Sequence, residues 1–209
     1  MAFPRLTLFH SSKNSFFRLL KTWACKCLEG VICKTFKDKE RIRAAGRSAA
    51  AVLDRLCAMV EPGLSTWEID EAGGEIMKDM GIQSACKGYR SGYRVFPSYT
   101  CLSVNDEIVH GIPNSTIIKD GDILSIDVGV SYEGYHADAA FSFGVGEITE
   151  EEKNLLSKTK HALHEGIKLV KDGQKLGTIG HKIDKIAKKR SEEHTSELQS
   201  RPHISYAVF

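Results

Sequence analysis

Residues 108–141 read IVHGIPNSTIIKDGDILSIDVGVSYEGYHADAAF, and two aspartates interrupt its strand-like runs. Asp127 lies in ILSIDVGV and Asp138 in GYHADAAF, each within a segment whose apolar residues suit a sheet. Glu133-Gly134 between the runs suits a two-residue hairpin turn. That turn pairs Tyr132 with Tyr135 and sets Asp127 opposite Ala140. Asp138, two residues from Ala140 on the same strand, then shares the face of Asp127. The two become diagonal cross-strand neighbours with backbones roughly 7–8 Å apart. Two ionised carboxylates that close repel unless a cation lies between them or one keeps its proton. Two divalent ions about 3.5–4 Å apart, bridged by shared carboxylates, would satisfy the pair. An ordinary solvent-facing strand with two charges fits the same spacing.

His110 precedes Gly111 and Pro113 in an apolar stretch, a setting that holds its ring near the sheet. Four roles stay open on these residues alone: metal ligand, proton shuttle, hydrogen-bond donor to a substrate carbonyl, or satisfied core histidine.

Around this stretch the chain reads as α+β. Ile42, Ala45, Ala49, Val52, Leu56 and Val60 recur at helical spacing from Asp38 until EPG at 61–63. STWE at 65–68 is a capping box opening a second helix that ends at Gly81. Residues 82–103 are loop and strand, and strands follow at about 123–132 and 135–143. TEEE at 149–152 is another capping box. It opens a helix whose Leu155, Leu156, Thr159, Leu163, Ile167 and Val170 share one face. A last helix presents Leu176, Ile179, Ile183 and Ile186. Two helices, antiparallel strands and two more helices pack as helices on one face of a sheet.

With 209 residues the chain suits one well-packed domain. A formal charge of +2 gives no reason to expect nucleic acid or an acidic membrane as the main partner. No apolar run approaches the ~20 residues of a membrane span. Six irregularly spread cysteines read as reduced thiols, and Cys25, Cys27 and Cys33 lack the paired spacing of a zinc site. Before Glu29 there is no acidic residue, so residues 1–36 read as a basic extension, either disordered or targeting. Polarity shifts abruptly at Arg190, where the last helix is expected to stop without a cap. RSEEHTSELQSRPHISYAVF, residues 190–209, reads as the translation of a sequencing-library adapter and is expected to be non-native. The domain between these ends is 37–189.

SVNDEIVHGIP, IIKDGDILSIDVGV and GYHAD, in this order and with the aspartates eleven positions apart, resemble type I methionine aminopeptidases. DKERIRAAGRSAA and VEPGLSTWEID extend the resemblance over about residues 35–189. It implies the pita-bread fold, with only the N-terminal half present. It implies Asp127 and Asp138 as the first two of five ligands to two divalent ions (cobalt, manganese, iron or zinc). It implies His110 as the catalytic histidine that contacts substrate and stabilises the tetrahedral intermediate. Cys86, Tyr89, Tyr93 and Cys101 fall where the family lines its methionine pocket, although an inserted residue near Ser91 blurs the tyrosines. Apolar, polarizable walls suit a thioether side chain. The implied reaction is removal of the first methionine from nascent polypeptides by attack of metal-activated water. The ribosome is one implied place of encounter, and the implied full-length protein is a monomer with no membrane or nucleic-acid preference. It would act in the cytoplasm, or in an organelle if residues 1–36 are a targeting segment.

The family's remaining histidine and two glutamate ligands have no counterpart in the matching region. His181 falls on the last helix, opposite its apolar face. His161, His164 and Glu165 lack the second histidine of H-E-x-x-H and belong to an exposed face. GVGE at 144–147 does not continue into a phosphate loop. Two ligands of five leave this polypeptide expected to be inactive, with an open sheet edge and an uncovered face that favour aggregation. Other readings are a related M24 peptidase, such as a proline-specific one, and a non-catalytic binding protein on the same fold. VNDEIVHGIP argues against the first, and His110, Asp127 and Asp138 argue against the second.

Overall fold

The computed structural model describes residues 35–194. Cys25, Cys27, Cys33 and most of both terminal segments lie outside the described residues. The first helix, α1 (Phe36–Met59), starts two residues before the apolar periodicity. Its cap is Thr35, whose hydroxyl accepts from the Asp38 backbone N–H while the Asp38 side chain accepts from that of Thr35. The second helix, α2 (Thr66–Asp79), has the expected box, with Ser65 and Glu68 exchanging the same two bonds. Gly81, at φ 66°, terminates it.

Six strands follow: β1 (Gln83–Ser84), β2 (Arg90–Ser91), β3 (Arg94–Val95), β4 (Cys101–Val104), β5 (Ile123–Tyr132) and β6 (Tyr135–Gly144). β5 and β6 form the expected hairpin, with Tyr132 opposite Tyr135 and Asp127 opposite Ala140. Glu133 and Gly134 both have positive φ, 48° and 79°, which matches the twist of the flanking strands. The other edge of β5 is shared, β4 pairing with its first half and β1 with residues 130–131, all antiparallel. β6 pairs with β5 alone among the described residues, so its outer edge is open as expected. β2 and β3 make a separate small hairpin.

Alternation along β5 divides the sheet into two chemical faces. Leu124, Ile126, Val128 and Val130 are fully buried and point to one side. There they join Val52 and Leu56 of α1, Ile69 and Met77 of α2, Leu102 and Ile118 in one core. Each such aliphatic side chain contributes about 1.5–3 kcal/mol by leaving water. The alternate residues make the opposite face: Cys101 and Ser103 on β4, Ser125, Asp127 and Ser131 on β5, and His136, Asp138 and Ser142 on β6. Tyr135 fastens the hairpin to α1 by donating its hydroxyl to Asp38 at 2.6 Å. Arg41 pairs with Glu133 beside it.

The last two helices are α3 (Glu150–Lys168), capped by the expected Thr149–Glu152 box, and α4 (Leu176–His194). Two expectations are corrected here. α3 turns Ala162 and Gly166 inward, leaving Leu163, Ile167 and Val170 more than half exposed. A Cβ at Gly166 would stand 3.2 Å from the Ile183 side chain, so the absence of one lets α4 approach. The stripe that periodicity assigns to packing is thus only partly used, because the closest approach runs through small residues. Second, α4 does not stop at Arg190 but continues to His194. His161, His164 and His181 are exposed on these helices, as the sequence indicates.

Candidate metal and substrate site

The site lies on the polar face of the sheet, where β5, β6 and β4 run side by side. Asp138 stands opposite Gly129 and Asp127 opposite Ala140, a diagonal arrangement that lets the two carboxyl groups hydrogen-bond each other. Two carboxyls that close repel when both are ionised, and a proton or a cation between them relieves it. Asp127 is half-buried, whereas Asp138 as a residue is exposed on this open face. Withdrawal of its carboxyl from water by surrounding protein, followed by the charge of Asp127, nonetheless pushes Asp138 up to about 7. Burial also raises Asp127, with the bond from Asp138 opposing it.

His110 reaches this pair from the loop after β4. Its φ of 59° is left-handed, a conformation that costs a non-glycine residue energy. Gly111 fixes it there: the Gly111 N–H donates to Ser103 Oγ at 3.1 Å, and its carbonyl accepts from Leu102 N at 3.0 Å. A Cβ on Gly111 would collide with the Leu102 carbonyl oxygen. The H-G dipeptide is therefore a close backbone approach that delivers a half-buried imidazole beside Asp138. Burial lowers the pKa of His110, with the Asp138 charge opposing, so the ring is neutral at pH 7.

Cys101 pairs with Asp127 across the β4–β5 ladder. Its thiol lies next to the Cys86 side chain, and both residues are buried. That bond, then burial and the nearby Cys86, Asp127 and Asp138 charges, pushes the Cys101 thiol far up. It stays protonated and apolar in character.

A network that sequence reading does not find holds both cysteines. Asp70 of α2 is buried, and it accepts from Tyr99 N at 3.1 Å, Thr100 N at 2.7 Å and Thr100 Oγ1 at 2.8 Å. Ser84 Oγ donates to the Tyr99 carbonyl at 2.7 Å and accepts from Cys86 N and Lys87 N, both at 3.0 Å. Gly74 of α2 lies beneath the Tyr99 ring, where a Cβ would come within 2.6 Å of it. The available signal was a charged residue inside an apolar helix face, together with two adjacent helical glycines in EAGGE.

Of the residues expected to line the pocket, the structure gathers Cys86 and Cys101 next to the aspartates. Tyr89 is half-buried, with its N–H bonded to the Cys86 carbonyl at 3.0 Å. Tyr93 sits in the turn between β2 and β3, 106% exposed, and is not part of the cluster.

The donor chemistry fits a divalent cation in part. Two oxygen carboxylates in contact suit bridging of hard or borderline ions. No group of three or more histidine, cysteine, aspartate or glutamate side chains among the described residues is arranged to hold one. Asp127 and Asp138 can therefore share a cation without filling its coordination shell.

The model of metallopeptidase family M24 matches residues 40–205. Methionine aminopeptidase 1 of Bacillus subtilis is 41% identical over 153 residues, 73% of this chain and 60% of that protein. The mitochondrial methionine aminopeptidase 1D of Dictyostelium discoideum is 38% identical, over 78% of this chain and 40% of its own length. Among solved structures, the methionine aminopeptidase of Thermotoga maritima superposes with a TM-score of 0.71 at 35% identity, covering 76% of this chain and 62% of that one. A Xaa-Pro dipeptidase of Bacillus anthracis shares the fold, with a TM-score of 0.60 at 20% identity. The chain spans about 60% of the length of the first curated relatives it matches.

Proposed function

This chain belongs to metallopeptidase family M24, and we propose that the protein it comes from is a metal-dependent methionine aminopeptidase acting on the N-termini of nascent polypeptides. The observation that carries this reading is the contact of Asp127 with Asp138 on one sheet face, with His110 beside Asp138. In this reading Asp127 and Asp138 would supply two of the five ligands to two divalent ions, whether cobalt, manganese, iron or zinc. When bound, such ions make water a nucleophile near neutral pH and polarise a peptide carbonyl. His110, neutral and fixed by its close-packed neighbour Gly111, donates an N–H to the carbonyl oxygen as negative charge develops there. Cys86 and Cys101, both buried, form a soft wall for the methionine side chain, with Tyr89 beside them.

Residues 37–189 are the catalytic portion in this reading, residues 1–36 an extension, and residues 190–209 a non-native tail. Sequencing across the codon for Arg190 tests the last point. No described helix is long and apolar enough to cross a membrane. The cytoplasm is the proposed compartment, with an organelle as the alternative if residues 1–36 direct import. The full-length protein is proposed to act as a monomer, with the ribosome one place of encounter.

The test is methionine release from a Met-Ala-Ser peptide with added divalent metal. The full-length protein is expected to turn over and to lose activity in D127N, D138N and H110A. The 209-residue chain, with two of the five ligands, is expected not to turn over. A full-length protein that is inert with every metal tried would leave the binding-protein reading in its place.

A further inference from the structure

His110 ends a short excursion of the chain from β4. The backbone leaves the strand at Val104 and returns at Gly111, which bonds Ser103 Oγ through its N–H and Leu102 N through its carbonyl. The first and last residues of the excursion, Asn105 and His110, are both left-handed, at φ 54° and 59°. Ile108 and Val109 between them are exposed, so apolar burial does little to fix the loop. Polar bonds do so instead.

Asn105 makes three of them. Its backbone N–H donates to the Ile123 carbonyl at 2.9 Å, and its Oδ1 accepts from Ile123 N at 2.9 Å. Its Nδ2 donates to Asp122 Oδ1 at 2.8 Å, while Asp122 Oδ2 accepts from Lys119 N at 2.8 Å. Asparagine also adopts the left-handed backbone more readily than most residues. Ile123 opens β5, the strand that carries Asp127. Glu107 adds a brace: its Oε2 accepts from Val104 N at 3.0 Å and lies 2.9 Å from where a Cβ on Gly111 would stand. The start of the loop is thereby tied to its end.

We infer that Asn105 is a positioning residue for the reaction: it fastens the loop carrying His110 to the strand carrying Asp127, and so sets where the imidazole meets the substrate carbonyl. This rests on the proposed role of His110 as donor to that carbonyl. A donor that acts as charge develops raises kcat and leaves KM alone. N105D removes the amide donor and sets two carboxylates face to face across 2.8 Å. The exchange N105D/D122N restores every bond: the amide at 122 donates to the carboxylate at 105, and its oxygen still accepts from Lys119 N.

The test has two arms. In the full-length protein, N105D is expected to lower kcat on Met-Ala-Ser by about tenfold to a hundredfold with KM unchanged, as a misplacement of about 1 Å can. N105D/D122N should return kcat to within about threefold of wild type, and in an H110A background N105D should cost less than about twofold more. In the 209-residue chain, exchange of the Gly111 N–H should quicken about tenfold in N105D against the core amides of β5, and slow again in the double variant. The inference is overturned by an unchanged kcat, by a loss in KM alone, or by a loss of equal size in the H110A background. A folded double variant as slow as N105D, or unchanged Gly111 exchange, overturns it as well. A wild-type full-length protein that does not turn over removes the reaction itself and the positioning role with it, whereas turnover with any of those other results removes the role alone.

Discussion

Asp138 and Asp127 stand on adjacent antiparallel strands, two positions out of direct register, close enough that each raises or relieves the other's charge. A pair of carboxyls whose pKa values are both raised by burial and proximity is arranged for occupancy by a cation rather than for stability. Asp138→Asn is therefore expected to leave the thermal midpoint of the metal-free chain unchanged or raised. The same change should weaken manganese or cobalt binding, measured calorimetrically, by more than the roughly 10–100-fold that even outer-shell partners cost. A fall in metal-free stability with metal affinity intact would show the pair to be structural.

Gly111 is expected to tolerate no side chain. Alanine there collides with the Leu102 carbonyl oxygen, which belongs to a strand locked between the core and β5. The expected cost of Gly111→Ala is about 3 kcal/mol in chemical denaturation. Gly63→Ala meets no atom within 4 Å but sits at φ 105°, so its smaller cost would isolate backbone strain from collision.

Asp70→Ala removes the acceptor for two backbone N–H groups and the buried Thr100 hydroxyl. Denaturation should show a loss of about 2–4 kcal/mol, since those donors are left without partners. Asp70→Asn keeps one acceptor oxygen and is expected to lose less. Alkylation of Cys101 by a neutral maleimide should accelerate in both, as the segment that buries the thiol loosens.

Glu165 links α3 to α4. Its carboxylate meets Lys168 at 2.6 Å on its own helix and Lys182 at 3.1 Å on the next. Bonds from Lys168 first and Lys182 second lower it to about 2. A carboxylate lowered on folding contributes stability above its unfolded value, ordinarily near 4.5, and loses it as pH falls toward the folded value. Hydrogen exchange in α4 is therefore expected to accelerate between about pH 4.5 and pH 2, beyond the intrinsic pH effect, and Glu165→Gln should remove that excess. An unchanged profile in the variant would show that Gly166 and the isoleucines alone dock the helices.

Much of this molecule follows from short-range rules. Glu133-Gly134 and the alternation of ILSIDVGV suffice for the hairpin register, because a one-residue slip would turn every core side chain outward. Ser65–Glu68 and Thr149–Glu152 mark helix starts within four residues of chain. The shared face of Asp127 and Asp138 follows from that register alone, and so is legible in the sequence.

What the tertiary structure decided lies at long sequence separation. Asp70 reaches the segment just before β4, about thirty residues away, and nothing local to STWEID says that Tyr99 and Thr100 supply its donors. The partition of the β5 edge between β1 and β4, and the placement of Tyr93 in an exposed turn rather than in the pocket, are of the same kind. So is the exposure of Leu163, Ile167 and Val170, since periodicity defines an apolar face without naming what covers it. Periodicity, caps and turns are properties of a few consecutive residues, and the sequence by itself determined those. The docking of one element on another depends on which surfaces fit, and only the folded chain decided that.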